Sequence, residues 1–180
     1  MSEVAVVLYL VVEIALLLFL LGCVVFFGSL VYSFTKTAPY VRSDRKAMAA
    51  MIRLASITPG MHVVELGSGN GELTIRASEL GANALGYEIN LVLVVWSRLR
   101  SKRRKMTGSV VFAHGDFWKE KLPADTDVVF AYLLPEAMPK LWEKLHADLR
   151  PGTRIISNGF VFKDRQPDEQ EGDVRLYRLV

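Results

Sequence analysis

The chain is 180 residues long, enough for one domain with a short appendage, and carries a net charge of +3 and a single cysteine, Cys23. One cysteine excludes an intramolecular disulfide, and with it a stapled secreted module. The modest charge and the absence of a Lys/Arg-rich terminal arm argue against a nucleic-acid tail.

Hydrophobic residues make up 51% and charged residues 23%, with a positive mean hydropathy of +0.25. The apolar residues are concentrated at the start: from Val4 to Phe34 the only charged side chain is Glu13. About 20 apolar residues already span a bilayer as a helix, so this run has length to spare for tilt. A cleaved signal peptide carries a basic start and an apolar stretch of about 7–15 residues; here Met1-Ser2-Glu3 precedes a longer run. Residues 1–35 are therefore expected to form a retained transmembrane anchor. Lys36, Arg42, Arg45 and Lys46 follow the span, which predicts that the C-terminal side faces the cytoplasm, or the matrix of an organelle. Glu13 admits three readings: a position near the outer interface, a protonated contact within a helix pair, or a contact with a basic group of a membrane partner.

Residues 36–60 read as an approach helix and linker. Ser43-Asp44 is a capping pair before helical spacing from Lys46 to Ala55, and Pro59-Gly60 is a turn. Strands are predicted at His62–Leu66, Ala84–Tyr87, Ser109–Ala113, Val128–Tyr132 and Arg154–Ser157. Helices are predicted at Leu73–Leu80, Leu91 to about Lys105, and Pro135–Leu149. Phe160–Phe162 and Val174–Leu179 read as a terminal hairpin, with the polar residues Asp164–Asp173 as its exposed loop. This alternation predicts an α/β fold: a parallel sheet with helices on both faces over residues 61–180.

The central feature is Glu65-Leu66-Gly67-Ser68-Gly69-Asn70-Gly71, directly between a strand and a helix. Glycines there let the backbone turn sharply and approach a ligand where a Cβ would clash. Glu72 stands where a dinucleotide-binding G-x-G-x-x-G loop has its third glycine, which argues against a nicotinamide or flavin enzyme. Glu65 precedes the loop. Glu88 closes the second strand, where a carboxylate can accept both ribose hydroxyls of an adenosine, and Asn90 follows it. Asp116 follows the third strand, suited to an adenine amino group, with Phe117 or Trp118 beside the ring.

Acids and glycines at the successive ends of three strands resemble the class I (seven-stranded) S-adenosylmethionine-dependent methyltransferases. The resemblance implies a Rossmann-like sheet and S-adenosylmethionine as cofactor, bound by Glu65, Gly67, Ser68, Gly69, Gly71, Glu88, Asn90, Asp116 and Phe117. It narrows further. An N-terminal membrane segment, Pro39-Tyr40-Val41, the glycine loop, Gly86-Tyr87-Glu88-Ile89-Asn90, Trp96-Ser97-Arg98 and Asp116-Phe117-Trp118 look like one family. These are the membrane-anchored lysine methyltransferases of the ATP synthase c-subunit and the adenine nucleotide translocase, with their prokaryotic relatives. Arg42 stands where that family is expected to have a proline, and Ala131-Tyr132-Leu133-Leu134-Pro135 matches its shape only loosely. That segment has no Asn-Pro-Pro-Tyr or Asp-Pro-Pro-Tyr, the pattern of nucleic-acid amino methylation.

What the resemblance implies is methyl transfer to a lysine amine of a membrane-associated protein, and no nucleic-acid partner is expected. His62, His114 and His146 are far apart and not in ligand spacing, so no metal site is expected. An unperturbed lysine at pH 7 pays roughly 4.6 kcal/mol to deprotonate, and an apolar pocket reduces this by desolvation. Tyr132 is a candidate for orienting the amine and Tyr40 for closing over the cofactor, and both read equally well as packing aromatics. A lipid or lipophilic small molecule is an alternative acceptor, and a non-catalytic assembly factor that binds the cofactor is an alternative of another class. The basic run Arg98, Arg100, Lys102, Arg103, Arg104 and Lys105 reads either as a solvated helix end or as a contact for anionic headgroups.

Overall fold

The structure is a computed structural model that describes residues 2–36, 44–163 and 165–180, with 29–36 described through their helical backbone. Helix α1, Glu3–Lys36, is apolar around its whole circumference, and its Glu3–Gly28 part is the one described helix long and apolar enough to cross a membrane. Twenty-six residues of helix reach about 39 Å, more than the roughly 30 Å of a hydrocarbon core. Within it Tyr9 Oη donates to Glu13, one turn away on the same face. The carboxyl group thus has a partner in its own helix.

Helix α2, Arg45–Ala55, has Asp44 at its N-cap, but without the expected side-chain bond; Ser43 lies outside the described residues. The sheet then alternates with helices: β1 His62–Leu66, α3 Glu72–Glu79, β2 Asn83–Glu88, α4 Leu91–Ser101, β3 Ser109–His114, β4 Val128–Ala131, α5 Met138–Asp148, β5 Arg154–Asn158, β6 Glu169–Glu171 and β7 Val174–Arg178. Pro135–Ala137 is a 3₁₀ turn rather than the first turn of α5. α4 ends at Ser101, four residues before its predicted end, and Lys102–Arg104 form turns instead.

Among the described residues the seven strands form one sheet in the order β3-β2-β1-β4-β5-β7-β6. The five strands β1 to β5 are parallel, and β7 joins β5 antiparallel, so the sheet is mixed rather than purely parallel. The chain steps outward from β1 to β2 and β3, then returns to the other side of β1 with β4. Between β1 and β4 the connections diverge, and a crevice opens at the carboxyl ends of the strands.

Side chains alternate across the strands into two cores. Val63, Ala84, Val128, Phe130 and Ile156 bury one face against α2 and α3, and Phe112 extends that face beneath Val94 of α4. Val64, Leu66, Val129 and Ile155 bury the other against Leu141, Trp142 and Leu145 of α5.

The terminal hairpin is not the one predicted. Its strands are Glu169–Glu171 and Val174–Arg178, joined at Gly172, whose φ of +59° suits a tight turn. Phe160–Phe162 takes no part, because Phe162 is buried between Trp142 and Tyr177 in edge-to-face contacts, each 4.9 Å between ring centres. The polar segment expected to be a loop supplies an edge strand. It has no apolar pattern because all three of its residues are exposed, and it is held from outside. Arg53 of α2 pairs with Glu171, and Asp168 accepts the Arg178 amide at 2.7 Å.

Candidate active site

The loop from Gly67 to Gly71 hangs over the carboxyl ends of β1 and β2. Gly67, Gly69 and Gly71 all have positive φ (+76°, +54° and +73°), a conformation that L side chains rarely adopt. The amides of Gly67 and Ser68 both donate to the Tyr87 carbonyl, at 2.9 and 2.8 Å, which ties the loop to the neighbouring strand.

Glu88 fastens it further. The Gly69 amide donates to one carboxylate oxygen and the Asn90 amide to the other, each at 2.8 Å and buried. Asn90 in turn caps α4, accepting from Val92 at 3.0 Å and Leu93 at 3.4 Å. One carboxylate thus joins the glycine loop to the start of the next helix. Because each ionised oxygen offers about two acceptor sites, both retain capacity for a ligand.

Glu65 serves α3. It accepts from the Thr74 amide at 2.9 Å and from the Thr74 hydroxyl. Gly71, the N-cap residue, supplies no side chain, so Glu65 reaches across from β1 to satisfy an amide of the first turn. Desolvation pushes its carboxyl up from 4.5 to about 8, against the pull of the two Thr74 bonds, and the Glu88 charge adds to the rise. The fold favours the protonated acid, so stability is greatest below pH 4.5 as far as this group is concerned. It declines as pH rises from there through about 8. Thermal melting between pH 5 and 9 should show this decline, and Glu65→Gln should flatten it; a variant that keeps the wild-type slope would assign the slope elsewhere.

The floor of the loop is closely packed. A Cβ on Gly86 would sit 2.7 Å from Ser68 Cβ and 2.9 Å from Thr74 Oγ1, so the glycine of the Gly86-Tyr87-Glu88 run gives the loop room to descend. Ser68 Oγ is buried and has no hydrogen-bond partner among the described residues. The outer wall is α4. Ser97 Oγ donates to the Gly69 carbonyl at 3.1 Å, and Arg100 donates to the Asn70 carbonyl at 3.1 Å and pairs with Glu72. Burial opposes ionisation of Glu72, but the Arg100 bond and the Arg100, Arg76 and Arg104 charges hold its carboxyl below its ordinary value. Arg98 clasps the Phe112 carbonyl of β3 at 3.1 and 2.6 Å. Half of the basic run is therefore structural: Arg98 and Arg100 hold the site, and Arg104 pairs with Glu79 at 2.7 Å.

Beyond β3, Asp116 accepts from the Trp118 amide at 3.1 Å in a tight turn. Phe117 is buried, with its ring 4.8 Å from Trp118. Tyr132 follows β4, whose register sets Ala131 beside Leu66. Its ring stacks on Phe160 at 6.0 Å, at the carboxyl end of β4, the strand that borders the crevice beside β1. The structure thus gathers Glu65, Gly67, Ser68, Gly69, Gly71, Glu88, Asn90, Asp116, Phe117 and Tyr132 along the carboxyl ends of four adjacent parallel strands. Tyr40 lies outside the described residues. Sequence reading missed Thr74 and the Arg100–Glu72 pair. A threonine two residues into a helix with no capping side chain was the available signal for the first; nothing local signals the second.

Residues 65–169 match the sequence profile of the ANTKMT methyltransferase domain. A mouse lysine N-methyltransferase, named for the ATP synthase c-subunit, is 35% identical over 135 residues, 75% of this chain and 54% of that protein. The chain therefore spans about half the length of that relative. A Saccharolobus islandicus protein-lysine N-methyltransferase is 28% identical, over 76% of this chain and 86% of that one. Among solved structures, an RNA methyltransferase from Salinibacter ruber in complex with S-adenosyl-L-homocysteine superposes with a TM-score of 0.70 at 33% identity. It covers 77% of this chain and 92% of that one. The profile match takes in more than half of the residues and begins at Glu65, the first acid of the glycine loop; this chain belongs to the ANTKMT methyltransferase domain family.

Proposed function

We propose that the chain is an S-adenosylmethionine-dependent methyltransferase acting on a lysine side-chain amine of a membrane-associated protein. The observation that carries the reading is Glu88: a buried carboxylate whose two oxygens each hold one backbone amide and keep acceptor capacity, under a loop of three positive-φ glycines. The residues fit the cofactor on that ground, and the buried Ser68 hydroxyl, without a partner among the described residues, is a further donor in the same loop. When bound, S-adenosylmethionine supplies an electrophilic methyl on a positively charged sulfur.

The chain's own residues bind and align. Glu88 accepts the ribose hydroxyls. Gly67, Ser68, Gly69 and Gly71 allow the backbone to approach, and Asn90 keeps Glu88 and the α4 start in register. Asp116 accepts the adenine amino group beside Phe117. Glu65 holds the first turn of α3 in place beneath the loop through its Thr74 bonds. Tyr132, at the carboxyl end of β4 beside the crevice, orients the incoming amine. Desolvation in this crevice lowers the lysine pKa, and alignment with exclusion of water supplies most of the acceleration. The names of the mouse and Saccharolobus relatives support a lysine acceptor. The apolar helix α1 supports an acceptor held at a membrane, with the domain on its basic, cytoplasmic or matrix side.

The test uses the full chain, membranes and total RNA from a strain lacking the gene, and S-adenosylmethionine labelled in its methyl group. Label in a protein band, mapped to lysine and lost with Glu88→Ala, is the expected outcome. Label in lipid or RNA would overturn the lysine assignment, and cofactor binding without transfer to any fraction would favour an assembly role.

A further inference from the structure

α4 has an inward and an outward side. Val94 and Ser97 are fully buried against Phe112 and the glycine loop. Leu91, Val95, Trp96 and Leu99 face outward and are 54%, 47%, 56% and 52% exposed. Their spacing of four and eight residues, with Trp96 beside them, makes one apolar stripe along the helix. A solvated helix in an α/β domain carries polar residues there, and this stripe contains none. Directly after α4 come Lys102, Arg103 and Lys105, all exposed and without an ion pair among the described residues.

We propose that this face of α4 docks flat on the bilayer that α1 spans, with the apolar stripe in the headgroup–acyl boundary and Lys102, Arg103 and Lys105 on anionic headgroups. Three observations favour lipid as the occupant. The combination of an apolar face bearing a tryptophan with a basic end is the composition of an in-plane interfacial helix. The three lysines and arginines complement an anionic surface, whereas Arg98, Arg100 and Arg104 of the same run are turned to protein partners. α1 also contacts α4, so α4 lies on the side of the domain nearest the span. The proposal rests on α1 crossing a membrane.

The orientation bears on the site. α4 runs back from the carboxyl end of β2 to the amino end of β3, roughly antiparallel to the strands. With α4 flat, the strands run along the bilayer plane, and the crevice beside Tyr132 opens sideways at headgroup height. A site so placed meets side chains of membrane proteins just outside the hydrocarbon core.

The experiment places the full chain in nanodiscs of phosphatidylcholine, with and without phosphatidylglycerol, made from plain lipid or from lipid brominated near the ester end of the chains. Bromine quenches tryptophan by contact. Expected are quenching in the wild type, its loss in Trp96→Phe, and a larger quenched fraction with phosphatidylglycerol. Lys102→Glu/Arg103→Glu/Lys105→Glu should lower the docked-to-undocked ratio in anionic discs by more than ~10-fold, given about 1 kcal/mol for each basic residue near such a surface. Unchanged S-adenosylmethionine binding in both variants shows that the fold is intact. Equal emission in plain and brominated discs, or quenching that persists in Trp96→Phe, overturns the proposal. So does a concentration-dependent shift of Trp96 emission without bromine quenching, which would assign the stripe to a second copy of the chain. Retention of the chain in the disc reports on α1 separately, so failure of the span and failure of the docking are distinguishable.

Discussion

Glu88→Ala is expected to weaken S-adenosylmethionine binding by at least ~100-fold and to destabilise the fold by about 3 kcal/mol. Two effects coincide at one carboxylate. Hydrogen bonds to a charged group contribute about 1.5–3 kcal/mol each, and two ribose hydroxyls lose theirs. In the free protein the buried amides of Gly69 and Asn90 lose their acceptors, and water entering the space left by the side chain recovers part of that loss. Glu88→Gln separates the two contributions. Its shape is preserved, but one oxygen becomes an NH₂ facing an amide N–H that it can only repel, whichever way the side chain turns. The glutamine variant should therefore lose binding nearly as fully as the alanine variant, although no cavity is created. Isothermal titration with thermal melting measures both. Wild-type affinity in Glu88→Gln would show that the carboxylate does not hold the ligand.

The second large effect is expected from Gly71→Ala, which should destabilise the protein by about 3–5 kcal/mol, against about 1–2 for Gly67→Ala. Both glycines have nearly the same positive φ, +73° and +76°, so both alanines bear a similar backbone strain. Their surroundings differ. Among the described residues nothing lies within 4 Å of a Cβ on Gly67, whereas a Cβ on Gly71 would sit 2.6 Å from Phe112 Cζ and 2.8 Å from Ser97 Cβ. Relief requires α4 to move outward, which pulls Ser97 from the Gly69 carbonyl and Arg100 from the Asn70 carbonyl. Chemical denaturation of the two variants measures the gap directly. Equal losses would mean that α4 yields without resistance and that its bonds to the loop contribute little.

Much of the site was legible in the chain because the chemistry lies at the ends of locally encoded elements. Largely apolar runs of four or five residues marked β1, β2 and β3, and the glycines after β1 marked a turn that no other residue type makes as easily. In a parallel α/β sheet the residue after a strand must fall at the carboxyl edge, so Glu65, Glu88, Asp116 and Tyr132 could be placed together before any contact was known. The composition of α1 was equally explicit: a segment apolar on every side has no water-facing surface.

Other features were decided only by the tertiary structure. β6 consists of Glu169, Gln170 and Glu171, which carry no strand periodicity; it exists because β7 offers an unpaired edge and Arg53, 118 residues away, receives Glu171. Phe160–Phe162 has the composition of a strand but is drawn into the aromatic cluster with Trp142 and Tyr177. Arg98 and Arg100 look like the basic end of a solvated helix and instead hold the loop and β3. The division has a physical cause. Alternation, helical spacing and glycine turns are properties of neighbours along the chain, so sequence determines them alone. Edge pairing, aromatic packing and the choice of partner for a charge depend on surfaces that exist only once distant segments have been brought together.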